Sequence, residues 1–143
     1  MKLRAGLGVM VLCALTVSLP ALPQEHPSID PAAHETNAKQ LHSLLGGNGK
    51  VLVLDVRTPQ EYARGHVPEA VNVPIDILAR KINQLQVSKT TPIVTMCDHG
   101  GRSSQAAMEL QKMGYHATSF CRIDSWRKDG YNVTKGKAKS GAE

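Results

Sequence analysis

The sequence predicts an α/β fold, a single domain with a mainly parallel central sheet flanked by helices. Three observations predict it. Val51-Leu-Val-Leu54 is an unbroken apolar run, and Pro92–Met96 is a second, β-branched at Ile93, Val94 and Thr95. Such runs belong to strands buried on both faces, as in a parallel sheet, rather than to strands with one wet face. Other segments carry apolar residues at three- and four-residue spacing, the mark of amphipathic helices. The two kinds of segment alternate, which argues for parallel strands joined by helical crossovers.

Lys2 and Arg4 precede an apolar run from Leu7 to Leu19, followed by Pro20, Ala21 and Pro23. This is the pattern of a secretory signal over residues 1–23, with cleavage near 18–23. The run is shorter than the roughly 20 residues of a membrane span. Leu12 is too large to precede a lipid-modified Cys13, so lipidation is not expected. Export, to a periplasm, is expected, with no stable membrane association after cleavage. Residues 24–35 are polar and proline-bearing and read as a linker to a domain over residues 36–133.

Ala32 to Leu45 has the spacing of a helix through Ala38, Leu41, Leu44 and Leu45, ended by Gly46-Gly47. Val51–Leu54 is the first strand. Thr58-Pro59-Gln60-Glu61 is a capping box with proline at the first helical position, so a short helix starts there. Val71–Val73 is a second strand. Ile75, Leu78, Ile82 and Leu85 share a helical face. The strand ending at Cys97 leads into a helix from Ser103, with Ala106, Ala107, Leu110 and Met113 on one side. Ala117–Phe120 is a further strand, and a short helix surrounds Trp126. Residues 134–143, with Lys135, Lys137 and Lys139, offer little to bury and are expected to be a disordered basic tail.

The 143 residues suit one domain, and with 3% aromatic residues its core must be mainly aliphatic. The net charge of +5 is partly carried by leader and tail. No basic stripe is interleaved with aromatics, which argues against nucleic-acid binding. The six histidines show no metal-ligand spacing, and there is no Cys-x-x-Cys, so neither a metal nor any other cofactor is expected. A monomer is expected.

The chemistry concentrates in Cys97-Asp98-His99-Gly100-Gly101-Arg102-Ser103. A cysteine at a strand end, a two-glycine loop and a helix start let main-chain N–H groups converge on one point. Partial positive charge from the helix favours ionised sulfur there. Both glycines are expected to supply backbone conformations that a loop around an anion requires. Arg102 can grip a sulfonyl or phosphoryl oxygen. Asp98 is expected to face solvent, because a carboxylate aimed at the sulfur would oppose its ionisation. His99 reads as a surface residue that could touch substrate. Asp55 and Arg57 follow the first strand as supporting residues, with Arg57 able to pair with Glu61. His66 and Asn72 read as loop-fixing. An exported chain usually pairs its cysteines or has none, and removal of the leader leaves Cys97 and Cys121.

Cys-x-x-Gly-x-Arg-Ser resembles the active-site loop of the rhodanese (sulfurtransferase) family. Asp55-Val-Arg57, Glu61-Tyr62, Gly65-His66-Val-Pro68, Ala70-Val-Asn72-Val-Pro74, Gly114-Tyr115 and the segment ending at Trp126 resemble that family's other signatures, in order. Closest in organisation are its small single-domain exported members of the phage-shock-protein-E type. The resemblance implies a rhodanese-like fold and a two-stage reaction. Cys97 takes a sulfane sulfur from thiosulfate or a similar small donor as a persulfide, then yields it to a thiol or cyanide. Asp98 to Ser103 form the binding loop.

Two alternatives stand beside this. A cysteine phosphatase or arsenate reductase uses the same logic, but typically with five residues between cysteine and arginine; here there are four. A non-catalytic rhodanese-like binding module usually lacks the cysteine. The chain also departs from the family pattern. Cys121-Arg122 stands where Gly-Gly is common, and Glu69 where glycine is common. Cys121 is either a second thiol that accepts sulfur or pairs with Cys97, or a partly buried residue filling a glycine slot.

Overall fold

The computed structural model describes residues 35–47, 50–120 and 122–137. The leader, residues 24–34 of the linker, Cys121 and residues 138–143 lie outside the described residues.

Strands β1 (Leu52–Asp55), β2 (Val71–Asn72), β3 (Ile93–Met96) and β4 (Ala117–Phe120) form one parallel sheet in the order β2-β1-β3-β4. Each apolar run becomes a strand because both of its faces meet a packed layer. Val53, Val94, Met96 and Phe120 enter one core with Leu41, Tyr62, Ile123 and Trp126. Leu54, Ile93, Cys97 and Ala117 enter the other with Leu78, Ile82, Ala106 and Leu110. The sheet is thus sandwiched, as the continuous hydrophobic pattern requires.

One layer holds α1 (Ala38–Gly46) and α5 (Ile123–Lys128); the other holds α3 (Leu78–Gln84) and α4 (Gly101–Lys112). The helical spacing expected from Ala32 begins at Ala38 instead. Asn37 and Gln40 form a capping box that sets this start, the Asn37 side chain accepting from Gln40 N–H. The helix expected over Ile75–Leu85 opens as a 3₁₀ turn, Ile75–Ile77, before α3.

The domain also holds on to chain at both expected borders. Glu35 bridges to Ser119 beside β4. Thr134 and His66 exchange two backbone hydrogen bonds of 2.9 Å, and Gly136 N–H donates to the Ala63 carbonyl. Main-chain groups at the end of α2 (Pro59–Arg64) and in the loop after it thus pair with the few residues that follow Val133.

The register sets Asp55 of β1 beside Met96 of β3, and Met96 beside Phe120 of β4. Asp55, Asn72 and Cys97 consequently meet at one edge, the carboxyl ends of the strands. Parallel α/β sheets place their binding crevices there.

Candidate active site

Cys97 is the first residue beyond β3, and its side chain falls on the α4 side of the sheet. Helix α4 has no side-chain N-cap; Gly100 stands at that position with φ of 90°. The sulfur supplies what a cap would. Gly100 N–H donates to Sγ at 3.1 Å and Ser103 N–H at 3.4 Å. Ser103 N–H is among the helix-start donors that lack a partner within the helix, and the sulfur accepts it. The Ser103 hydroxyl lies 3.3 Å from Sγ and donates to the Gly100 carbonyl at 3.0 Å. Its single proton being used there, the thiol hydrogen points to Oγ; once the sulfur ionises, the hydroxyl can turn and donate to it. The cradle is anchored below by Thr95 in β3, whose buried hydroxyl donates to the Ser103 carbonyl at 2.8 Å.

The glycines divide their work. Gly100 needs the left-handed region, which side chains disfavour. Gly101 does not: it is the first residue of α4, and a Cβ there would meet nothing within 4 Å. The helix therefore starts two residues before the expected Ser103. The sulfur itself is fully buried. It is enclosed by the apolar layer under α4, rather than open at the mouth of the loop, while its neighbouring amides point at it.

Two ion pairs tie the loop to the segment after β1. Arg57 is 3% exposed and spends its guanidinium on three acceptors: Asp55 at 2.6 Å, Asp98 at 2.9 Å and the Gly65 carbonyl at 2.8 Å. These carboxylates push its pKa further up, against the effect of burial, which is the largest single influence and acts downward. Asp98 is therefore only partly open to solvent, at 23% exposure, and not free in it as expected, because Arg57 holds it. Nor does Arg57 pair with Glu61. Its guanidinium turns inward to the sheet edge, where Asp55 takes both Nε and Nη2. The Asn72 amide closes the same edge, donating to the Asp55 and Arg57 carbonyls at 2.9 and 2.8 Å.

Glu61 takes Arg102 instead. Arg102 donates bidentately, Nη2 to Oε1 at 2.8 Å and Nη1 to Oε2 at 2.9 Å. This holds the Glu61 carboxyl well below the usual carboxylate range, with the Thr58 hydroxyl and N–H adding to the effect against burial. The guanidinium expected to grip a substrate anion is thus already engaged. His99 is exposed. His66 is buried, stacked on Tyr62 at 3.6 Å between ring centroids, with Nδ1 donating to the Tyr62 carbonyl. Burial, with Asp55 near, raises the Tyr62 pKa.

A family model described as the rhodanese-like domain matches residues 37–126. The chain belongs to the rhodanese-like family. A sulfurtransferase of Allochromatium vinosum is 31% identical over 102 residues, covering 70% of this chain and 94% of its own. A rhodanese-related protein from Thermoplasma volcanium superposes with a TM-score of 0.63 at 29% identity, covering 71% of this chain and 97% of its own. The thiosulfate sulfurtransferase of Pseudomonas aeruginosa shares the fold, with a TM-score of 0.68 at 21% identity over 78% of this chain and 22% of its own.

Within this rhodanese-like domain, Glu69 is one of the two departures from pattern marked in the sequence, and it has φ of 66°. This is the left-handed region, which glycine adopts more cheaply than a residue with a side chain. The second departure, Cys121, lies outside the described residues; its neighbour Arg122 is exposed. Sequence reasoning missed two contributors to the rhodanese-like site, Thr95 as the anchor of the cradle and Glu61 as the partner of Arg102. Glu61 carried one usable signal, its place in a capping box that follows the strand next to β3.

Proposed function

We propose that the protein is a sulfurtransferase working through a Cys97 persulfide. One observation carries the proposal: the sulfur sits at the start of α4, where two main-chain N–H groups and a hydroxyl converge on it. Membership of the rhodanese-like family and the sulfurtransferase relative support the same reaction class. In this reading the attacking group is the Cys97 thiolate, to which the Gly100 and Ser103 N–H groups donate.

The Cys97 thiolate attacks the outer sulfur of thiosulfate. A new S–S bond forms, the bond between the two donor sulfurs breaks, and its electron pair leaves with sulfite. The persulfide retains the negative charge, which the Gly100 and Ser103 amides stabilise in the manner of an oxyanion hole. A thiolate or cyanide then attacks the outer persulfide sulfur and carries it away, returning the Cys97 thiolate. Because the sulfur is fully buried, donor entry displaces part of the loop between Cys97 and Arg102. The leader pattern supports export as the setting.

Intact-mass measurement of the purified protein after incubation with thiosulfate tests the proposal. A gain of one sulfur atom, removed by cyanide and absent in Cys97→Ser, is expected. No gain from thiosulfate or any other sulfane donor overturns it.

A further inference from the structure

We infer that Glu61 is a specificity-determining residue of the sulfur-donor site, disfavouring dianionic donors relative to singly charged ones. This rests on the sulfur-transfer reading above and concerns which donor that site prefers.

Both arginines around the loop are already engaged by carboxylates. Arg57 is shared between Asp55 and Asp98, and Arg102 is taken by Glu61 with a more distant contact to Asp98 at 3.6 Å. Across these five side chains there is one more negative charge than positive. Arg102 nevertheless belongs to the loop that cradles the sulfur, adjoining Ser103, whose N–H and hydroxyl meet Sγ. A donor anion that recruits Arg102 must take it from Glu61. The pair is partly exposed, 34% and 25% for the two side chains, and such pairs are weak enough to exchange.

Glu61 does not leave when Arg102 does. Its Oε2 also accepts from Thr58 N–H and the Thr58 hydroxyl, each at 2.8 Å, as half of the capping box of α2. Its charge therefore stays where Arg102 was held, so an anion that takes this guanidinium meets the carboxylate left behind. Like charges brought together across a binding site cost affinity, and a dianion feels this more than a monoanion does.

Thiosulfate and methanethiosulfonate isolate the effect. Both deliver the same outer sulfur to the thiolate. One releases sulfite from a dianion, the other methanesulfinate from a monoanion. The variant is Glu61→Gln, since glutamine at the third helical position preserves the capping box while removing the charge and one of the two oxygens that accept from Arg102. The ratio of kcat/KM for thiosulfate to that for methanethiosulfonate is expected to rise roughly threefold or more, through a fall in KM for thiosulfate. Glu61→Ala gives up half the box but keeps Thr58 as N-cap and Pro59 at the first position, and should raise the ratio likewise. An unchanged or lowered ratio in an active protein overturns this inference alone. A wild-type protein that accepts sulfur from neither donor removes the sulfur-transfer reading, and this inference with it.

Discussion

Arg57 and Asp98 are joined by a 2.9 Å ion pair that ties the residues after β1 to the first loop residue after Cys97. With Asp55 on its other side, the buried guanidinium makes the loop's starting point part of the sheet edge. It couples the folding of the edge to the geometry of the cradle.

Arg57→Ala would leave the fully buried Asp55 carboxylate without its partner. Removing one member of a buried pair typically costs about 3–5 kcal/mol, and a loss of that size is expected in denaturant unfolding. Asp98→Asn is milder, because the amide oxygen can still accept from Arg57. It should loosen the loop, lowering turnover more than stability. Equal losses in both measurements would show that Asp98 acts only as framework.

The neighbouring glycines should respond in opposite ways. Gly100→Ala forces a side chain into φ of 90°, at roughly 1–2 kcal/mol, and shifts an amide that holds the sulfur. At least a tenfold loss of sulfur transfer is expected. Gly101→Ala enters open space at a helical position and should be tolerated in both folding and activity.

Glu69 holds the same kind of backbone without glycine's freedom. Glu69→Gly should relieve strain of about 1 kcal/mol, raising the thermal midpoint by a few degrees without altering sulfur transfer. A lower midpoint would mean that the Glu69 side chain makes up for its own strain.

Acid stability should follow Glu61. Its folded carboxyl lies well below the ordinary value of 4.5 because of Arg102. The depressed value means that the contribution is complete above the unfolded value. It is lost as pH falls from there toward the folded value. Thermal midpoints between pH 6 and 3 should therefore drop less steeply in Glu61→Gln than in the wild type. Parallel curves would show that the ion pair has no net effect on folding.

Much of the fold was legible in the chain because local signals and the global answer agree. The runs at Leu52–Asp55 and Ile93–Met96 and the Thr58–Glu61 capping box each specify their element through neighbours in sequence. Cys97 was legible too, since strand, cysteine, loop and helix start are consecutive. Charge partners were not. Arg57 has Asp55 two residues away and Glu61 four away, and nothing local chooses between them.

The sequence by itself determined the alternating α/β pattern, the place of the nucleophile candidate at a strand end and the family motifs. Only the tertiary structure decided that Arg57 serves Asp98, that Arg102 is committed to Glu61 and that the sulfur lies beneath the surface. The physical reason is that strand and helix patterns are written in residues a few positions apart. These ion pairs span 41 residues and exist only once β1 and β3 lie side by side.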